Sequence, residues 1–317
     1  MNSFTENRFN TGEIDINYAV GPNNGPPLVL IPGQGGDWTN YQEVLPLLSS
    51  EFHVFAVDIR GHGKSDWTTG NYSFEMIGAD MTSFLQSVVK RKAIISGNSS
   101  GGLIALWLAA NKPELVSGII LEDPPLFSAE WPRIKEDSNV YGVFEVTMSM
   151  SKALNESKSV RTLAQELTRI RRPMEDGTTR TVPKLAAYFV SFIIRVSQRF
   201  GSGKPSLPGR LGRITDILMN FDTDFSQAFL DGRIYVGLDH AEALRRTQCP
   251  MILLHANWFR HPDHGLVGAM DDTDAARALE LAPSMQYKRI DSEHVIHSNK
   301  PQEFVLIVEK FAEQLTN

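Results

Sequence analysis

The chain has 317 residues, 42% of them hydrophobic and 21% charged, with a formal net charge of −6. That is enough apolar material for one large domain or for a core plus an insertion, and a mixed-sign surface offers no basic field to a nucleic acid. Cys249 is the single cysteine, so no intrachain disulfide is expected. Met1 to Phe9 is polar and lacks the apolar stretch of a signal peptide, and Leu185 to Ile194, the most apolar helical stretch, is ended by Arg195 before it reaches a spanning length. These features read as a cytoplasmic protein without a membrane partner.

In chain order, apolar runs predict strands at Ile14 to Val20, Leu28 to Ile31, Val54 to Val57, Ala93 to Ser96, Gly118 to Leu121, Met251 to His255 and Gln286 to Ile290. Helical periodicity predicts helices at Tyr41 to Leu48, Phe74 to Val89, Ser100 to Asn111, Asp272 to Leu281 and Pro301 to Leu315. Such alternation implies an α/β fold with a mostly parallel sheet covered on both faces. It stops between about Leu126 and Arg246, where the chain reads as helices broken by loops at Pro173 to Gly177 and at Gly201 to Gly212. The expected division is a core of residues 1–125 and 247–317 with a helical insert at 126–246.

One junction stands out. Lys92 to Ser96 runs through Gly97-Asn98-Ser99-Ser100-Gly101-Gly102 straight into a helix-like run, Leu103 to Ala110. The pattern G-x-S-x-G fits a turn so sharp that its central serine is strained and pushed out of the sheet, with small neighbours for clearance. The N–H of Ser100 then lies at a helix N-terminus, where unpaired donors favour a developing oxyanion. Two other turns belong to the same end of the sheet: Pro32-Gly33-Gln34-Gly35-Gly36 after one strand, and Arg60-Gly61-His62-Gly63-Lys64-Ser65 after the next.

With these motifs in order, the chain resembles the α/β-hydrolase superfamily over about residues 14 to 125 and 248 to 317. PGQGG resembles the family's oxyanion loop, DIRGHGKS its D-x-R-G-x-G-x-S turn, GNSSGG its nucleophile elbow, and the SEHVIH segment around His294 the stretch carrying its catalytic histidine. The family often has His-Gly where this chain has Pro32-Gly33; that histidine is not one of the three catalytic groups. The resemblance implies an α/β-hydrolase fold with the insert as a helical cap, and a serine hydrolase with Ser99 as nucleophile, His294 as base, and the backbone N–H groups of Gln34 and Ser100 holding the oxyanion. His297, one helical turn on, is the rival base.

Two positions compete for the acid. After the strand ending at His255, where the family usually carries it, this chain has Asn257, leaving Asp263 by a longer loop. After Leu121 stands Glu122-Asp123-Pro124-Pro125, and Asp123 matches the acid position of some haloalkane dehalogenases and zearalenone lactonases. The prolines push Asp123 toward an extended backbone, and strand alternation turns Glu122 the other way. Asp123 is preferred, with Asp263 the alternative.

Serine as nucleophile disfavours dehalogenase and epoxide chemistry, which begin with a carboxylate. The expected activity is hydrolysis of an apolar, small-molecule ester or lactone through an acyl-enzyme. Carbon–carbon bond hydrolysis or acyl transfer on the same triad is the alternative, and a small-molecule receptor with residual hydrolase activity the alternative of another class. Gly33 and Trp131 are expected beside the substrate, while most large apolar groups of the insert, Phe144, Met148, Met150, Tyr188, Phe189 and Phe192, are expected to form its own core. The insert's arginines, including Arg161, Arg169, Arg171, Arg172 and Arg195, read as a solvated surface. His261 and His264 lack the further ligands of a metal site, so neither metal nor cofactor is expected.

Overall fold

A computed structural model describes residues 4–156, 159–200, 207 and 209–316. In chain order the strands are β1 (Thr5–Asn10), β2 (Asp15–Val20), β3 (Pro27–Ile31), β4 (His53–Val57), β5 (Ala93–Asn98), β6 (Val116–Glu122), β7 (Arg171–Pro173), β8 (Thr179–Thr181), β9 (Met251–His255), β10 (Phe259–His261), β11 (Gly265–Val267) and β12 (Gln286–Arg289). The helices of the sheet layers are α1 (Leu45–Leu48), α2 (Phe74–Phe84) and α3 (Ser100–Asn111). An inserted helical region follows β6 with α4 (Arg133–Glu136), α5 (Asn139–Glu156), α6 (Val160–Arg169), α7 (Lys184–Phe200), α8 (Gly209–Met219), α9 (Asp224–Asp231) and α10 (His240–Arg246). The chain closes with α11 (Asp272–Leu281), α12 (Ile296–Asn299) and α13 (Pro301–Thr316).

Eight strands form the main sheet in the order β1-β2-β4-β3-β5-β6-β9-β12, antiparallel at β1/β2 and β2/β4 and parallel beyond. The central strands are apolar on both faces because both are covered. Val29 and Ile31 face a layer that includes α2, α3, α10 and α11, while Leu28 and Leu30 face α1, α12 and α13. Strand order reverses between β3 and β5, and the loops leaving those two strands open the crevice where open α/β sheets bind ligands.

Several elements differ from the sequence expectation. Thr5–Asn10 is an edge strand, paired with β2 although all its residues but Phe9 are polar. Tyr41 to Leu48 is not one helix: a 3-10 turn, Trp38–Tyr41, capped by Asp37, precedes the short α1. Arg195 does not end its helix, because α7 runs on to Phe200, with that guanidinium bonded to the carbonyls of Ala153 and Leu154. Of the loop expected at Gly201 to Gly212, residues 201–206 and 208 lie outside the described residues, and from Gly209 the chain is helical.

The insert has a small apolar core of its own, with Met150, Leu154, Leu163, Leu167, Ala187 and Ile194 buried between α5, α6 and α7. Tyr188, Phe189 and Phe192 are not in it; they face solvent, because α7 packs through Ala187, Ser191 and Ile194 instead. The second half of the insert is stitched to the sheet. Backbone bonds join Gly63 N–H to Asn220 O and Asp222 N–H to Gly61 O, and the Asp222 carboxylate accepts from Tyr72 and Thr69 hydroxyls.

Candidate active site

Ser99 stands between β5 and α3 with φ 54° and ψ −122°, a left-handed backbone that a serine adopts only at a cost of about 1–3 kcal/mol. Its own N–H is tied to Glu122 O at 2.9 Å, and the Gly102 N–H bonds to its carbonyl. Both glycines of the motif are sterically required. A Cβ on Gly97 would overlap the Gly101 carbonyl, and one on Gly101 would overlap the Ile31 carbonyl oxygen at the end of β3. The elbow is thus wedged between its own helix and the neighbouring strand.

Gly33 lies against it: a Cβ there would sit 3.0 Å from Ser99 Cβ and 3.1 Å from Asn98 Oδ1. Gln34, the next residue, is latched from above by the insert, its Nε2 donating to Ser226 Oγ on α9 at 2.6 Å. α8 also reaches this loop, with Ile217 Cγ2 2.9 Å from where a Cβ on Gly35 would lie. Ser100 is buried in the first turn of α3, where helical N–H groups have no partner within the helix.

Asp123, buried at the end of β6, accepts the Ala256 N–H on Oδ1 at 3.0 Å and meets His294 Nδ1 with Oδ2 at 2.7 Å. Its backbone is not extended as Pro124 would favour; φ is 45°. The bond from its N–H to Leu254 O holds this turn, which swings the carboxylate out of the strand direction toward the histidine loop. Burial opposes charge on His294, but the hydrogen bond and charge of Asp123, with the charge of Glu122 behind it, outweigh burial and lift the imidazole above the ordinary histidine value. With Nδ1 committed to Asp123, Nε2 remains to take a proton.

The alternative acid is elsewhere. Asp263 is exposed in the turn between β10 and β11, where its N–H bonds to His261 Nδ1. Asn257 donates to Asp291 Oδ1 at 2.8 Å and so braces the histidine loop. His261 and His264 both reach the hydroxyl of Thr179, joining the β7–β8 hairpin to that turn. Trp131 is half exposed, beside Gly232 and under the Lys135 ammonium, which lies 5.9 Å from its ring centroid.

Two residues to which sequence reasoning gave no site role join the parts. Asn98 Nδ2 reaches Glu122 O at 3.4 Å and His294 O at 3.3 Å, linking elbow, β6 and histidine loop. Glu122, fully buried, accepts the His297 N–H at 2.9 Å and meets its Nδ1 at 2.8 Å, while that ring stacks on Tyr41 at 4.1 Å. His297 therefore faces Glu122 on the other side of β6, as alternation along the strand dictates. Asn98 occupies the free position inside G-x-S-x-G, and nothing in that pattern marks it.

A sequence profile described as alpha/beta hydrolase fold matches residues 26–165. Among curated proteins, 3-oxoadipate enol-lactonase 2 of Acinetobacter baylyi is 29% identical over 110 residues, 34% of this chain and 41% of that protein. Pimeloyl-[acyl-carrier protein] methyl ester esterase of Vibrio parahaemolyticus is 35% identical over 124 residues, 38% of this chain and 46% of that protein. The match thus spans less than half the length of either relative. Solved structures align over nearly the whole chain: an esterase from Rhodococcus sp. ECU1013 at TM-score 0.66 and 21% identity, covering 99% of both chains, and the enol-lactonase from Burkholderia xenovorans LB400 at 0.63 and 18%, covering 97% of this chain and 100% of that one.

Proposed function

The chain has the α/β-hydrolase fold, and on that premise we propose that it is a serine hydrolase that cleaves small apolar carboxylic esters or lactones through an acyl-enzyme. The observations that carry this reading are a strained Ser99 at the strand–helix turn and a histidine whose Nδ1 lies 2.7 Å from a buried carboxylate, with Asn98, next to Ser99, bonded to that histidine's carbonyl. Residues 126–246 act as its cap.

Ser99 Oγ attacks the carbonyl carbon while His294 Nε2 takes the hydroxyl proton; Asp123 holds the ring in the required tautomer and balances the imidazolium. The oxyanion is received by the N–H groups of Gln34 and Ser100, the first on a loop latched to α9 and the second at the start of α3. Collapse of the tetrahedral intermediate breaks the bond to the leaving oxygen, which collects the proton from His294. A water then gives a proton to His294 and attacks the acyl carbon; collapse of this second intermediate breaks the bond to Ser99 Oγ, which takes the proton back from His294, and the acid leaves. For a lactone the leaving oxygen stays attached, and the product is one hydroxy acid.

The names of the relatives, enol-lactonase and methyl ester esterase, support oxygen esters as the class. The test is hydrolysis of p-nitrophenyl acetate by Ser99→Ala and Ser100→Ala. The first loses nearly all turnover with the fold intact; the second, used through its backbone, retains most of it. Wild-type turnover by Ser99→Ala overturns the assignment.

A further inference from the structure

Helix α7 carries its amphipathic pattern the wrong way round for a buried helix. Its inward residues are Ala187, Ser191 and Ile194, all buried, while Leu185 (87%), Phe189 (66%), Phe192 (58%) and Phe200 (84%) are exposed, with Val196 between the last two. The spacing 185, 189, 192, 196, 200 is one continuous stripe along a helix about 25 Å long. An apolar stripe of this extent on a free surface marks a contact site.

The charge of the segment that carries the stripe identifies its partner. Residues 160–200 hold eight Lys and Arg against three Asp and Glu, in a chain where acids outnumber bases 37 to 31. Arg161, Arg172, Lys184 and Arg199 are exposed and form no ion pair among the described residues. Lys184 and Arg199 lie at the two ends of α7 itself, and Arg199 falls two turns after Phe192 on the same side. We propose that this face of the insert seats on an anionic lipid surface, with the aromatic stripe in the acyl boundary and the basic groups on the headgroups. A second copy of the chain fits less well, because pairing two such faces would juxtapose like charges. By span length the sequence offers no membrane segment, and its arginines read as a solvated surface; the outward aromatic residues of α7 change that reading. Lying on a bilayer requires no spanning segment, and no described helix is long and apolar enough to cross one.

Flotation of the full chain with unilamellar vesicles tests this, using equal parts phosphatidylcholine and phosphatidylglycerol against phosphatidylcholine alone. The protein is expected to float with the mixed vesicles, about tenfold or more weaker with the neutral ones, and less as salt is raised. Phe189→Ser with Phe192→Ser, both at exposed sites, should weaken binding about tenfold or more with an unchanged circular dichroism spectrum. Lys184→Glu with Arg199→Glu should do so through charge alone. Absence of flotation on anionic vesicles, or wild-type binding by both variants, overturns the proposal. Self-association in sedimentation that the serine variant abolishes, without vesicle binding, would assign the face to a second copy and overturn it equally. None of these outcomes depends on ester hydrolysis.

Discussion

Replacing Asp123 with Asn changes one atom in a site where both carboxylate oxygens are used. Oδ1 takes the Ala256 N–H at 3.0 Å and Oδ2 faces His294 Nδ1 at 2.7 Å. An amide has one acceptor oxygen, and the Ala256 N–H claims it, so the NH2 group turns to His294 and makes Nδ1 the acceptor. The proton then sits on Nε2, the nitrogen that must receive it from Ser99. Loss of that tautomer and of the charge opposite the imidazolium predicts a fall in kcat of about 10³- to 10⁴-fold, or about 4–5.5 kcal/mol in the barrier. Shape is nearly conserved, so the fold remains.

The pH profile carries a second signature. Because Asp123 lifts His294 above the ordinary histidine value, the wild-type rate should fall on the acid side at a pH above about 6.5, where the base becomes charged. In Asp123→Asn the residual rate should fall at lower pH, since burial is opposed by Glu122 alone. Linkage has the same sign: a raised folded value stabilises the protein below the unfolded histidine value, and that increment is lost as pH rises through the folded one. Hydrolysis of p-nitrophenyl acetate across pH, with thermal melts on the same samples, measures both. A rate within a few-fold of wild type, or a large loss in Asp263→Asn, refutes the reasoning.

Gly101→Ala should be destabilised by about 3 kcal/mol or more, read from the urea midpoint, because its Cβ meets the backbone carbonyls of Ile31 and Pro32 rather than a side chain that can move. His297→Ala leaves the Glu122 carboxylate buried with only a backbone donor, and should cost about 3 kcal/mol in stability while the acid limb of the rate stays near its wild-type position. If that variant instead abolished the acid limb, His297 would be the base. Trp131→Ala tests whether that half-exposed ring touches substrate: a changed ranking among bulky esters at constant acetate rate supports contact, and equal losses on all substrates mark it as packing.

The central strands were legible because β3, β5 and β9 are buried on both faces and so carry apolar runs, with polar residues (Ser96, Asn98, His255) only in their C-terminal halves. The elbow was legible because its glycines answer a local steric need. Strand β1 was not, since its polar residues are held by pairing with β2, and pairing leaves no mark on composition. Nor was the backbone of Asp123: the local preference imposed by Pro124 yields to bonds made by residues from β9 and its loop. The choice between Asp123 and Asp263 turned on which loop closes over His294, a matter of tertiary distance. On α7 the stripe was present in the sequence, but periodicity says only that one face is apolar, never which way it turns.

The central claim is that Ser99 forms a covalent acyl intermediate, and the most direct measurement is intact mass and peptide mapping after exposure to a fluorophosphonate ester, which traps an activated serine as a stable adduct. One adduct per chain, mapped to Ser99, formed in parallel with loss of hydrolysis and absent from Ser99→Ala, is the predicted result. Hydrolysis that continues with Ser99 fully labelled, or an adduct that maps to another residue while Ser99→Ala stays active, would contradict it.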